Sequence, residues 1–133
     1  MICIDTTVLI DEFRARGAIH APVNQALIQH RHEKLIVPVI AAGEYLDGAA
    51  MISPERVQSC MAILRSRHIA EITLDISELY AAIVSTLRTQ KALGGRSHND
   101  LWIAATARRY GSRLLTRNVQ HFEDIPGLDV ISY

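Results

Sequence analysis

The sequence predicts an α/β fold in which a parallel sheet is covered by helices on both faces. Three observations lead there. Short uncharged runs of Ile, Val and Leu alternate along the chain with longer stretches whose apolar residues recur at helical spacing. The strand-like runs are apolar throughout rather than alternately polar, as strands buried on two faces are. No Asn-Gly pair joins two of them in a tight hairpin.

Taken in order, residues 2–4 read as a first strand. "TTVLIDEFRAR" follows as a helix with Thr6 or Thr7 as N-cap, Val8, Leu9 and Phe13 on its apolar face, and Gly17 at its end. A second helical stretch runs from Ala21 to His32. "KLIVPV" is a buried strand after Lys34, and "IAAGEYLDGAA" a helix of small residues. In "SPERVQSCMAILRSR", Ser53 is the N-cap and Pro54 takes the first helical position, where its missing N–H costs nothing. "EITL" reads as another strand, with Asp75 capping the clearest helix. There Ile76, Leu79, Tyr80, Ile83, Val84 and Leu87 form the stripe, and Glu78 completes a capping-box-like pattern. "GGRSHND" is a loop. "DLWIAATARRY" is apolar nearly all round, so it reads as a buried helix, ended by Gly111 and complemented by Arg108 and Arg109. "RLLT" and "LDVIS" are the last two strands. Nothing reads as a repeat or linker, so residues 1–133 are expected to form one domain.

Hydrophobic residues make up 49% of the chain and charged residues 21%, a composition that folds. Fourteen basic residues balance fourteen acidic ones, so a nucleic-acid partner would have to be met by local patches or metal ions. Cys3 and Cys60 fall inside a strand and a helix and are expected as buried thiols of a reducing compartment. The N-terminus lacks a basic stretch ahead of an apolar run. The longest apolar run, "LIVPVIAAG", is too short for a bilayer and holds Pro38. A cytoplasmic protein with no membrane partner is expected. The six His lack zinc-ligand spacing, and "GGRSHND" lacks the Gly-x-x-x-x-Gly-Lys-Ser/Thr pattern of a phosphate loop.

Open parallel sheets bind ligands beyond the carboxyl ends of their strands. Polar residues expected there are Asp5 after the first strand, Glu44 in the helix after the second, Asp100 opening the buried helix, and Asn118 with Thr116 after "RLL". Each also has a plain structural explanation. Asp5 suits a turn or cap, Glu44 and Asp47 a solvated helix face, Asp100 the third position of a Ser97 capping box, and Asn118 a loop. Together they mean more. Three carboxylates within about 4–5 Å would repel by ~3–4 kcal/mol per pair at an effective dielectric near 20. Such a cluster must take up protons or bind a cation. Oxygen ligands without His or Cys suit Mg²⁺ or Mn²⁺, and that chemistry points to phosphodiester hydrolysis.

"ICIDTTVLID", "GEYLDGA", "NDLWIAATA" and "LLTRNVQHFEDIPGLDVISY" lie in the order and approximate spacing of a known family. Through them nearly the whole chain resembles a PIN-domain nuclease, and more narrowly a VapC-type toxin of a bacterial toxin–antitoxin pair. The resemblance implies a Rossmann-like three-layer sandwich and a Mg²⁺- or Mn²⁺-dependent endoribonuclease that hydrolyses RNA with a metal-activated water. It also implies a cognate antitoxin and a homodimer. Carried over by motif, Asp5 and Asp100 would be the main metal ligands. Glu44 would act directly or through water and orient the attacking water. Asn118 would complete the pocket, with Thr6 and Thr116 as hydrogen-bonding supports. The chain departs from the family pattern at Asn118, where many PIN domains are acidic, near His121, where relatives are often acidic, and mildly at Thr7. Arg14, Arg16, Arg96 and Arg117 lie near this edge as candidate phosphate contacts or plain surface residues. His121 is open as a proton donor or a surface loop residue. Two rival readings stand: a catalytically silent PIN-like module that binds RNA or protein, and a hydrolase of small phosphoesters.

Overall fold

In the computed structural model, which describes residues 1–133, Ile2–Ile4 form strand β1 with all three side chains fully buried. Leu35–Pro38 (β2) and Arg113–Leu115 (β4) flank it, and His68–Ala70 (β3) and Val130–Ile131 (β5) close the two edges. Every pairing is parallel, with Cys3 opposite both Ile36 and Leu114. Burial on two faces explains why these strands carry unbroken apolar runs.

Helices α1 (Thr6–Ala15) and α2 (Pro22–Gln29) join β1 to β2, and α3 (Val39–Ala50) and α4 (Pro54–Arg65) join β2 to β3. Helices α5 (Leu74–Thr89) and α6 (His98–Arg109) then carry the chain back past β1 to β4. Parallel crossovers are right-handed, so this reversal sets α1–α4 on one face and α5–α6 on the other. Within the layers, α1 packs on α2 and α3, α3 on α4, and α5 on α6. In α6, Leu101, Ile103, Ala104, Ala105, Thr106 and Ala107 are all buried, because small residues let the helix lie against the sheet and α5 together. From α5, Ile76, Ile83 and Leu87 enter the core, each worth about 1.5–3 kcal/mol of burial.

The structure corrects several local expectations. Residues 71–74 are not a strand; the edge strand is His68–Ala70, where an exposed histidine masks the apolar signal. Thr73, not Asp75, caps α5 by accepting the Ile76 N–H at 3.4 Å. Asp5, rather than Thr6 or Thr7, caps α1. The second helix is shorter than Ala21–His32. The loop before α6 ends at Ser97, which caps without a side-chain bond. A 3-10 turn, Val119–His121, had no counterpart in the sequence reading. Both cysteines are free and buried, and no helix is long and apolar enough to cross a membrane.

Candidate active site at the reversal of strand order

Where strand order reverses, the loops leaving two neighbouring strands diverge and open a crevice at their carboxyl ends. Here those strands are β1 and β4, ending at Asp5 and Thr116, and the Asp5 N–H donates to the Leu115 carbonyl at 3.0 Å. Asp5 is only 4% exposed, so its carboxylate needs donors. It has three. Oδ1 accepts from the Thr6 N–H at 2.7 Å, and Oδ2 accepts from the Thr7 hydroxyl at 2.9 Å and the Thr116 hydroxyl at 2.8 Å. Both threonine oxygens also accept from the loop after β4: Thr116 from the Asn118 N–H at 3.0 Å, Thr7 from the Arg117 N–H at 3.2 Å. Each hydroxyl has one proton and two lone pairs, so donation to Asp5 leaves it free to accept. The first turn of α1 adds the positive end of a helix dipole.

Glu44 enters from α3, half-buried. Its Oε1 accepts from the Asn99 amide at 2.9 Å and its Oε2 from the Thr6 hydroxyl in a short bond. Thr6 therefore spans two carboxylates, Asp5 through its N–H and Glu44 through its hydroxyl. Asp100 enters from the first turn of α6, and its Oδ2 lies 3.0 Å from His121 Nδ1. Its carboxyl is pushed above the ordinary range, first by burial and then by the negative charges of Asp5 and Glu44, with His121 opposing. Asp100 thus lies within reach of the charges of both other acids. As the side chains lie, each is held by its own donors, and no three acidic, His or Cys groups stand close enough to grip an ion. The donor set is nonetheless all oxygen, which fits a hard divalent cation and not zinc.

Other sequence candidates are placed differently. Asn118 is anchored through its backbone, and its amide bonds to none of the three carboxylates. Asp47 is exposed on α3. Arg117 gives Nη1 to both oxygens of Asp11 at 2.7 Å, and the Tyr133 hydroxyl holds the same carboxylate at 3.0 Å. Arg96 is tied to Asp124 and to two backbone carbonyls. Arg14 and Arg16 make no ion pair, and Arg14 lines a groove that starts at Glu44 and runs between Phe13, Tyr45 and Arg56. Asn99, which holds Glu44, has no role in the sequence analysis, and Thr7, noted there only as a cap candidate and a departure from the family pattern, holds Asp5. Adjacent helical residues such as Asn99 and Asp100 point to different sides, and only the packing of α6 on α3 gives Asn99 its partner.

The PIN domain family model matches residues 2–128. Ribonuclease VapC1 of Rickettsia felis is 29% identical over 136 residues, covering 98% of this chain and 95% of that protein. The crystal structure of VapBC2 from Rickettsia felis, bound to a DNA fragment from its promoter, matches with a TM-score of 0.82 at 23% identity, covering 100% of this chain and 99% of that one. A toxin–antitoxin complex from Klebsiella pneumoniae matches with a TM-score of 0.74 at 27% identity, covering 98% and 96%.

Proposed function

The chain belongs to the PIN-domain family, and from that premise we propose that residues 1–133 form a single metal-dependent endoribonuclease domain, the toxin of a toxin–antitoxin pair. The observation that carries this reading is electrostatic. Three acids, from the end of β1, from α3 and from α6, lie near the reversal of strand order, and Asp100, raised first by burial, is raised further by the charges of the other two. None of the three has an Arg or Lys partner, and only Asp100 has an imidazole, so a bound cation would meet no competing positive charge from a side chain other than His121.

In this reading Asp5 and Asp100 hold Mg²⁺ or Mn²⁺. An ion held by these residues would supply charge neutralisation for the scissile phosphate and a more acidic water. Glu44, fixed by Thr6 and Asn99, would orient the attacking water. Thr6 and Thr116 keep the acidic centre in register, and Asn118 closes the pocket as a neutral polar wall. With zero net charge, the chain draws RNA in through the ion and local arginines such as Arg14, not through a whole-protein field. The partner in this reading is a cognate antitoxin, in keeping with the names of the VapBC relatives and the Klebsiella complex, and a homodimer remains part of the proposal on the family resemblance alone. Cys3 and Cys60, free and buried, suit the reducing cytoplasm where RNA and antitoxin are met.

Cleavage of total cellular RNA in Mg²⁺ or Mn²⁺ tests the proposal. Wild type should cut, and both EDTA and Asp5→Ala should stop it. The self-satisfied side chains favour one rival, a silent module that binds RNA or protein. Folded, antitoxin-free protein that binds RNA and never cuts it would establish that rival. Turnover of a simple phosphomonoester but not RNA would establish the small-molecule hydrolase instead.

A further inference from the structure

Asp5 receives three hydrogen bonds and Glu44 two, whereas the Asp100 carboxylate receives one, from His121. We infer that His121, braced by Arg96, is the positioning residue that fixes Asp100 for a divalent cation. The inference rests on the metal reading above.

The geometry supplies the reason. His121 Nδ1 lies 3.0 Å from Oδ2 of Asp100, which leaves Oδ1 unbonded and turned loose for an ion. The imidazole sits on the Val119–His121 turn, and two features fix that turn. Phe122, the next residue, is fully buried. Arg96 gives Nη1 to the His121 carbonyl at 3.0 Å, pairs with Asp124, and gives Nε to the Ala92 carbonyl at 3.0 Å. Its side chain is only 18% exposed. The arginine therefore staples the loop leading into α6 to the turn that carries His121, one on each side of Asp100. His121 and Asp100 both line a recess of about 600 Å³ together with Gly94, Gly95, Ser97 and Gln120. His121 is the only hydrogen-bond partner of the Asp100 carboxylate, so without it an incoming ion would meet a less ordered ligand. Outer partners of this kind contribute roughly 10–100-fold to metal affinity.

The test is Mn²⁺ binding without RNA, read from the EPR signal of the free ion. His121→Ala should weaken Mn²⁺ about tenfold. His121→Asn, whose amide N–H falls near the position of Nδ1, should stay within about threefold of wild type. Arg96→Ala should weaken binding by less than His121→Ala does. In an Asp100→Asn background, His121→Ala should have no further effect, because the coupling runs through that carboxylate. His121→Ala binding like wild type, His121→Asn as weak as His121→Ala, or an undiminished effect in Asp100→Asn would each overturn the inference while the metal reading stands. Wild type that binds no Mn²⁺ would overturn the metal reading, and this inference with it.

Discussion

At the two ends of the sheet stand two half-buried acids with opposite surroundings. Glu33, at the amino ends of the strands, is bonded by His30 Nδ1 at 2.9 Å, the Met1 amino group at 3.1 Å and Arg113 at 2.7 Å. Its carboxyl is held below the ordinary range, chiefly by the His30 bond and then by the amino group. Asp100, at the carboxyl ends, has one imidazole, a desolvated setting and two like charges nearby, and its carboxyl is raised. Shared cations turn an acid into a clasp between strands. Acids gathered without cations leave a deficit that a ligand can fill.

The largest expected effects separate Asp5 from Asp100. Both Asp5→Asn and Asp100→Asn should cut RNA cleavage by more than about a hundredfold, beyond what loss of an outer partner costs. Their stabilities should diverge. Asp5→Asn replaces a carboxylate that three donors satisfy and should cost about 1–3 kcal/mol in a denaturant titration. Asp100→Asn removes a like charge and should raise Tm at pH 7 by about 1–3 °C in metal-free buffer.

The pH dependence has a definite sign. A raised carboxyl contributes stability below its ordinary pKa and loses it as pH rises through the folded value. The Tm gain of Asp100→Asn should therefore vanish toward about pH 4. Glu33, being lowered, contributes above its ordinary pKa and loses that contribution as pH falls. Glu33→Gln should lower Tm at pH 7, with the difference closing in acid and cleavage unchanged. Paired melting curves across pH would sharpen the contrast, and parallel shifts would break it.

Smaller effects follow for the supports. Asn99→Ala frees one oxygen of Glu44 and should reduce kcat about tenfold with little change in KM or Tm. Arg117→Ala should change KM less than about threefold, because its guanidinium is committed to Asp11, and an exposed pair of this kind contributes only ~0.2–1 kcal/mol to stability.

The same contrast explains what could be read from the chain itself. Apolar runs buried on both faces give the strands away, and α6 announces its burial through an apolar circumference. The carboxyl-edge rule brings Asp5, Glu44 and Asp100 together before any coordinates, since it depends only on where strands end. What stayed hidden depends on distant partners. Thr7 and Asn99 matter only because β4 and α3 arrive beside them, and the His121–Asp100 bond spans 21 residues. For Arg117 and Arg96 the sequence leaves phosphate contact and plain surface charge equally open, because it shows a charge without its partner. The β3 edge escaped because one exposed histidine breaks an apolar run of three.

Crystals grown with Mn²⁺ and measured at the manganese absorption edge would locate the ion. An anomalous peak is expected beyond the carboxyl ends of β1 and β4, ligated by Asp5 and Asp100 with Glu44 directly or through one water. Absence of a peak at saturating Mn²⁺, or a peak held by other residues, would contradict the metal reading.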